Sequence, residues 1–539
     1  MHEFIAKFGH LLLGVLKGWD RLVIRGELRV LYADEGGMKQ FLRSNGVLLK
    51  NFRDYVNQIS KRLKAASLTA AEESNRPVVY MRSPKASKEE MARQIQQRDG
   101  IKEGLICVLS CVEPCMSYSV VPNRATKELD LKLEQRQCLH LYHYWMHPVL
   151  GFMHGRIQTW FPFRIQMCMN GHDWLGRQMD RAGIGYEAHD NCFPWIEDFG
   201  RAQELMEEQL SVDWPGLLDP IARSLNPIHE EIFARYQVKY YWTIPSSEYA
   251  TDVVFRRQED LQRLYPLMMR HGILNLSSPD VLRFLGRKIA AGSPVPDQYN
   301  EELFSDLKRR QEGVRLKHFA GSNSIKAYDK AYTERGSVLR AETTINDEEQ
   351  FRVLRPKEGG AEEDLAYRRM RRGVADTYRR AEVSRRANDR YLDALAGVDD
   401  SSRLEDLVAG LEEPVRWKKG RVRGLRLLGE DATLLAAIGH GEFALNGFRN
   451  RDLQPILGAR GDDQQRRRQS AAIGRKLSML RAHRLIRKIP KTHRYQLTER
   501  GRQLINALQA AKATTVKQLI ALARISHRTM AKSRFSWDN

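Results

Sequence analysis

One stretch of the chain, HFAGSNSIKAYDKAYTERGSVLRAETTIN, combines residue types that can carry out phosphoryl transfer. Its pattern predicts a strand that ends in Tyr328, Asp329 and Lys330. A second predicted strand follows it and carries Arg340 and Glu342. A tyrosine phenol is a usable nucleophile when a cation lowers its pKa, and a carboxylate can hold a divalent metal against a phosphate. The stretch therefore indicates strand cleavage through a phosphotyrosine link.

The candidate catalytic residues are two tyrosines and the two lysines whose field would lower a phenol pKa, namely Tyr328, Tyr332, Lys326 and Lys330. The candidate metal ligands are Glu342, His140 and His143, with Mg²⁺ or Mn²⁺ as the expected ion. In a strand the two histidines would face opposite sides, whereas in a helix they would share one.

A different arrangement of acidic residues is also open at this point. Asp20, Glu248, Asp252 and Glu342 lie on or beside predicted strands, and carboxylates can gather two metals in a nuclease site. The sequence does not say whether these four side chains converge.

The stretch from residue 318 to residue 346 resembles the motif of rolling-circle replication initiators and related nicking enzymes. In that motif a Tyr-Asp/Asn-Lys on one strand is followed by Arg-x-Glu on the next. The resemblance implies that Tyr328 is the nucleophile and Glu342 a metal ligand, and Tyr332 matches the paired tyrosines of some initiators. The chain departs from the motif because it has no His-hydrophobe-His triplet.

The C-terminal region has a pattern of three helices, a two-stranded hairpin with a basic turn, and a closing helix. In the third helix, Ile473, Leu477 and Leu480 fall on one side at helical spacing. The face that a recognition helix presents to a major groove would then be formed by Arg475, Ser478 and Ala482.

This region resembles the winged helix-turn-helix of MarR-like regulators. The resemblance implies that Arg475 and Arg481 lie at the groove, together with Ser478. It also implies that the wing meets phosphate or minor groove through Lys488, Lys491, His493 and Arg494. Further candidate nucleic-acid contacts outside this region are Arg156, Trp160 and Arg340. The whole chain is also similar to a set of bacterial proteins labelled for their regulator-like C-terminus, which implies no activity.

The charge distribution supports a polyanionic partner. The 539 residues contain 88 Lys and Arg against 67 Asp and Glu, a net charge of +21. Residues 431–539 hold 22 of the basic and 7 of the acidic residues, so 15 of the 21 net charges lie in the last fifth of the chain. A basic region of this kind is typical of nucleic-acid binding.

The elements that position these residues predict a mixed α/β (α+β) N-terminal region with a mostly antiparallel sheet, a helical connector and a C-terminal winged helix-turn-helix. The predicted divisions are an α/β domain, a strand-rich catalytic domain, an arginine-rich connector, the DNA-binding domain and a basic tail: 1–130, 131–358, 359–428, 429–511 and 512–539. No apolar run is long enough to span a membrane, and a cytoplasmic protein is expected.

Three functions agree with this sequence. The first is a mobile-element or replicon-type enzyme that nicks single-stranded or duplex DNA through a tyrosine and a divalent metal. The second is a non-enzymatic winged-helix regulator, which would bind duplex DNA without metal dependence. The third is a metal-dependent nuclease associated with structured RNA, because arginine-rich helices suit RNA as well as DNA. The oligomeric state is left open.

Overall fold

The structure is a computed structural model, which describes residues 1–32, 34–125, 127–276, 284–286, 301–305, 314–357, 359–361, 363–398, 404–417, 420–439, 443, 447–457, 462–490 and 492–515. The described α-helices are α1 His2–Phe8, α2 Arg29–Tyr32, α3 Asp34–Ser44, α4 Phe52–Glu73, α5 Lys88–Arg98, α6 Gly171–Ala182, α7 Phe199–Glu207, α8 Trp214–Leu225, α9 His229–Ile232, α10 Gln258–Asn275, α11 Thr377–Leu395, α12 Leu404–Val408, α13 Ala432–Ile438, α14 Asn450–Leu453, α15 Asp463–Ala482 and α16 Glu499–Ala513. Among these helices none is both long and apolar enough to cross a membrane.

The described strands are β1 Leu12–Glu27, β2 Val78–Met81, β3 Gly104–Asn123, β4 Glu128–His147, β5 Gly151–Gln158, β6 Ile165–Asn170, β7 Tyr186–His189, β8 Cys192–Ile196, β9 Tyr241–Phe255, β10 Glu301–Ser305, β11 Val314–Ala320, β12 Asn323–Tyr332, β13 Ser337–Ile345, β14 Arg352–Arg355, β15 Ala366–Arg369, β16 Val415–Trp417, β17 Gly420–Val422, β18 Ile486–Lys488 and β19 Tyr495–Leu497. Eleven of them form one sheet in the order β10-β11-β12-β13-β9-β1-β6-β5-β4-β3-β2. Only β2 and β3 pair in parallel in that sheet, so the predicted mostly antiparallel α/β architecture is confirmed.

The first strand of the chain lies in the middle of the sheet, between β9 and β6. Its pairing with β9 contains a β-bulge, because Trp19 pairs with Tyr249 and Arg21 pairs with Glu248, which leaves Asp20 without a partner in that ladder. A bulge adds one residue to one strand and turns the side chains at that point. Asp20 and Arg21 are therefore brought to the same face of the sheet.

The predicted boundary between residues 1–130 and 131–358 falls inside β4. In addition, β1 from the first predicted domain pairs along its length with β9 from the second. The two predicted domains thus share a single sheet. Pairing between strands this far apart in sequence leaves no local signal in composition, so the sequence does not show that the two ranges share a sheet.

The predicted connector, residues 359–428, contributes a core helix. In α11 the side chain of Asn388 donates a hydrogen bond to the Tyr249 carbonyl oxygen at 3.0 Å and accepts one from Thr343 Oγ1 at 2.7 Å. Arg380 is 1% exposed and donates to the carbonyl oxygens of Ile244 and Ile345. This helix therefore packs on the sheet.

The C-terminal region has a hydrophobic core of its own, built from α12 to α16 and the β18–β19 hairpin. Ile473, Leu477 and Leu480 are buried in this core, as their spacing predicted. The described elements of this region follow one another in the order α13, α14, α15, the β18–β19 hairpin and α16. Residues 516–539, most of the predicted basic tail, lie outside the described residues.

Candidate metal centre

Three carboxylates from three adjacent strands meet on one face of the sheet. Asp20 of β1, Glu248 of β9 and Glu342 of β13 each offer an oxygen, and these oxygens lie within 4.8 Å of one another. Asp20 and Glu342 are buried, whereas Glu248 is half-buried and borders the surface. The three residues, called the carboxylate trio below, can hold a metal ion.

The strand β12 brings a tyrosine and a lysine to the trio. Tyr328 pairs with Arg340, and Lys326 pairs with Glu342, so both side chains face the same side of the sheet. Tyr328 Oη donates a hydrogen bond to Glu342 Oε2 at 3.0 Å, and Lys326 Nζ lies 2.7 Å from Glu342 Oε1. Each carboxylate oxygen has a second lone pair, so Glu342 can keep both contacts and also bind a cation.

The ionisation of Tyr328 differs from the expectation. The side chain is 5% exposed, and its burial, followed by the charge of Glu342, raises the pKa of the phenol well above its ordinary value. Lys326 is paired with Glu342, and Lys330 Nζ lies 3.7 Å from Asp190 Oδ2. The prediction that these lysines lower the phenol pKa is therefore wrong for this state, in which Tyr328 is protonated.

The second tyrosine lies on the other face of the sheet. A register shift between Asp329 and Ala331 turns Tyr332 away from Tyr328, toward the hydrophobic core that contains Leu339. Tyr332 Oη donates to Asp329 Oδ2 at 2.9 Å, and burial raises its pKa. The expected pairing of two tyrosines in one site is thus not seen.

Arg340 forms ion pairs with two buried carboxylates, Asp252 and Asp20 of the carboxylate trio. It is 0% exposed and donates from Nε and Nη2 to the two oxygens of Asp252, at 2.6 and 2.7 Å. Its Nη1 donates to Asp20 Oδ1 at 2.9 Å. The predicted contact of Arg340 with nucleic acid is therefore corrected, since the guanidinium is occupied by buried carboxylates.

A histidine that the sequence did not single out completes this network. His172 Nε2 lies 3.2 Å from Asp252 Oδ2, and its Nδ1 lies 3.4 Å from Asp20 Oδ1. It is placed by the start of α6, where Asn170 Oδ1 accepts from the backbone N–H groups of His172 and Asp173. An asparagine at a predicted helix start is the signal that locates it.

No protein-family model, curated protein or solved structure matches this chain. The three resemblances stated from the sequence stay predictions. The function is therefore inferred from the chain's own residues.

The carboxylates of the network differ in ionisation. Burial works against the charged form of Asp20, but Arg340 and His172 outweigh it and hold the pKa of Asp20 well below its usual range. Burial and the charge of Glu342 raise the pKa of Glu248 to about 7. Burial also opposes the charge of Lys326, yet Glu342 and Glu248 raise its pKa. Glu248 thus exchanges a proton near neutral pH.

We expect metal binding to depend on pH through Glu248. A cation competes with its proton, so the affinity for Mn²⁺ should rise about tenfold per pH unit up to about pH 7 and then level off. Because the folded-state pKa is raised from 4.5, the metal-free protein should lose stability as pH rises from 4.5 through 7. Thermal shifts with Mn²⁺ at several pH values measure the first effect. Glu248→Gln should remove both, and a pH profile identical to wild type would contradict this assignment.

The predicted histidine ligands lie elsewhere. His140 and His143 are buried on β4, and burial lowers the pKa of each to about 4. His140 Nδ1 lies 3.1 Å from the Cys138 carbonyl oxygen. Within the described residues the carboxylate trio is the one group suited to a metal, so the assignment of these histidines as ligands is corrected.

Two other predicted nucleic-acid contacts, Arg156 and Trp160, form hydrogen bonds within the fold. Arg156 Nη1 lies 3.3 Å from Glu113 Oε2, and its Nη2 donates to Gln166 Oε1 at 3.1 Å. Trp160 is half-buried, and its Nε1 donates to the Tyr118 carbonyl oxygen at 2.8 Å. Both side chains keep part of their surface open to solvent.

The predicted C-terminal contacts are mostly accessible. Arg475, Lys488 and His493 are exposed, and Ser478, Arg481 and Arg494 are half-buried, while Lys491 lies outside the described residues. The guanidinium of Arg481 lies 5.5 Å from the centre of the Trp417 ring. Arg494 Nη1 donates to the Gly447 carbonyl oxygen at 3.2 Å.

Proposed function

We propose that the chain is a divalent-metal-dependent enzyme that nicks DNA and forms a covalent link to it through Tyr328. One observation carries this proposal: the carboxylate trio converges on one face of the sheet with Tyr328 Oη 3.0 Å from Glu342. Hard oxygen ligands of this kind suit Mg²⁺ or Mn²⁺. Asp20, Glu248 and Glu342 are the residues that would hold the ion.

A divalent cation at these carboxylates supplies positive charge that polarises a phosphodiester and favours the phenolate form of a neighbouring tyrosine. Glu342 Oε2 already accepts the hydrogen bond from Tyr328 and takes its proton. Tyr328 Oη then forms a bond to phosphorus while the bond between phosphorus and a sugar oxygen breaks. The departing sugar oxygen would take its proton from water, because Glu248 gives up its own proton when it holds the ion.

A hydrolytic nuclease is the second candidate, and the burial of Tyr328 favours it. The phenol is 5% exposed and its pKa is raised. A water molecule would therefore reach a phosphate on the half-buried Glu248 side of the carboxylate trio more easily than the phenol would. In that enzyme Tyr328 would orient Glu342 and would form no covalent bond.

The test is incubation of the purified protein with labelled single-stranded and supercoiled DNA, with Mg²⁺, Mn²⁺ or EDTA. The proposal expects nicked DNA and a denaturant-resistant adduct that both require metal. Metal-dependent cleavage without an adduct would replace tyrosine transfer by hydrolysis. Metal-independent duplex binding without cleavage would favour the regulator, and cleavage of RNA that copurifies with the protein would favour an RNA-associated nuclease.

We also propose that residues 429–511 form a winged helix that docks the enzyme on duplex DNA. The observed order of helices and hairpin, the buried positions of Ile473 and Leu477, and the exposure of Arg475 support this. The high positive charge of the region supports it as well.

The docking proposal predicts a weaker salt-dependent affinity in Arg475→Ala. Removal of one phosphate contact should lower the slope of log K against log salt by about 0.9 for duplex DNA. Fluorescence anisotropy at several salt concentrations measures this slope. Arg98→Ala, an exposed arginine on α5, is the matched control and should leave the slope unchanged. Equal slopes for all three proteins would remove Arg475 from the interface.

A further inference from the structure

The face of the sheet that carries the carboxylate trio continues into a group of arginines. On β1, Arg21 pairs with Glu248, and Arg25 follows four residues later on the same face. Arg25 and Arg156 both pair with Gln166 of β6, from its two sides. Arg164 precedes Gln166 by two residues and thus lies on this face as well. Arg25, Arg156 and Arg164 are called the arginine cluster below.

The cluster contains more positive charge than its neighbours balance. Arg156 is paired with Glu113, but the carboxylate nearest Arg25 is Glu27, at 3.9 Å. In the described part of the chain no carboxylate forms an ion pair with Arg164, whose guanidinium lies 5.3 Å from the centre of the Tyr32 ring. The charge of this group is therefore left without an adequate counterion.

The hydrogen-bonding capacity of the cluster is also unfilled. The Nε atoms of Arg25 and Arg164 are buried without a hydrogen-bond partner. Burial, followed by the charges of Arg164 and Arg156, lowers the pKa of Arg25. Partly buried guanidiniums that repel each other and keep some N–H donors unfilled carry an energetic cost, which a bound anion relieves.

We propose that the arginine cluster binds a backbone phosphate of the nucleic-acid strand whose scissile phosphate lies at the carboxylate trio. Arg25 stands about 13 Å along β1 from Arg21, which borders the trio, so the two points contact different phosphates of one strand. Arg25 and Arg164 present forked donors to phosphate oxygens, and the 26% exposure of Arg25 leaves access from solvent. The position of the nucleic-acid strand in this inference rests on the proposed function. The anion site at the arginine cluster does not depend on it.

The experiment measures binding without cleavage, so its outcome is separate from the fate of the nicking activity. The full-length protein in EDTA is titrated with a labelled oligothymidylate and with inorganic phosphate, using anisotropy for the oligonucleotide and thermal shift for both. Arg25→Gln, Arg164→Gln and their combination are compared with Arg98→Gln, which removes an exposed arginine far from the cluster in sequence.

We expect the double variant to bind the oligonucleotide at least about tenfold more weakly, with a salt slope reduced by about 0.7 for each phosphate that the variant no longer neutralises. Its midpoint of unfolding without ligand should rise, because mutual repulsion is removed, and the gain on adding oligonucleotide should shrink. Arg98→Gln should match wild type in all four quantities.

Two results would overturn the proposal. A fall in the unliganded midpoint together with unchanged oligonucleotide affinity would make Arg25 and Arg164 structural residues. Stabilisation by inorganic phosphate with no further gain from the oligonucleotide would exclude a nucleic-acid strand as the ligand.

Discussion

Arg340→Met is expected to lower the free energy of unfolding by about 3–5 kcal/mol, the range found when one partner of a buried ion pair is removed. The side chain is fully buried and satisfies three carboxylate oxygens of Asp20 and Asp252. Without it, the two carboxylates stay in the interior, where His172 lies beside both and the Asn191 side chain donates to Asp20. Denaturant titration of the full chain measures the loss.

Two further variants separate charge from geometry. Arg340→Lys keeps the charge but cannot reach both carboxylates with a fork of donors, so it should recover only part of the lost stability. Adding Asp252→Asn to Arg340→Met removes one unpaired charge and should be less destabilising than the sum of the single changes. A loss below about 1 kcal/mol in Arg340→Met would show that the network contributes little to the fold.

Tyr328→Phe is expected to abolish the covalent adduct and to lower the nicking rate by at least about 10⁴-fold, as loss of a nucleophile does in other enzymes. Its thermal shift with Mn²⁺ should stay near that of wild type, because the carboxylate trio is intact. Glu342→Gln should lose both nicking and the Mn²⁺-induced shift, because it removes a ligand and the acceptor of the Tyr328 hydrogen bond. Quantified adduct formation and thermal shift measure the two effects.

The matched control for Tyr328 is Tyr332→Phe. Tyr332 lies four residues further along the chain, but its hydroxyl faces the opposite side of the sheet and donates to Asp329. This variant should nick DNA at the wild-type rate. If Tyr328→Phe also nicks at that rate while Glu342→Gln does not, the hydrolytic candidate replaces tyrosine transfer.

The local part of the centre could be predicted from the sequence. Alternation in residues 323–345 predicts two neighbouring strands, and antiparallel pairing then brings Lys326 and Tyr328 next to Glu342 and Arg340. The approach of Asp20 and Glu248 could not be predicted, because it needs β1 to pair with a strand more than two hundred residues later. The bulge that turns Asp20 toward Glu248 and Glu342 leaves no pattern in the sequence.

The burial of charged side chains could not be predicted from their residue type. Arg340 and Arg380 have the residue type of a phosphate contact, yet both lie inside, paired with carboxylates or carbonyl oxygens. The arginine-rich composition of α11 hides the apolar side formed by Ala387, Tyr391 and Leu395, which packs on the sheet. In the C-terminal region, where helical spacing decides what is buried, the same reasoning placed the core residues correctly.

The position of β1 has a consequence for how the chain folds during synthesis. This sixteen-residue strand is synthesised before both of its neighbours in the sheet, because β6 and β9 come much later in the chain. Until then its edges offer unpaired backbone groups to other chains, which is the condition that promotes aggregation and recruits chaperones. Recombinant expression should therefore benefit from slower synthesis at low temperature, and fragments that end before residue 255 are expected to be insoluble.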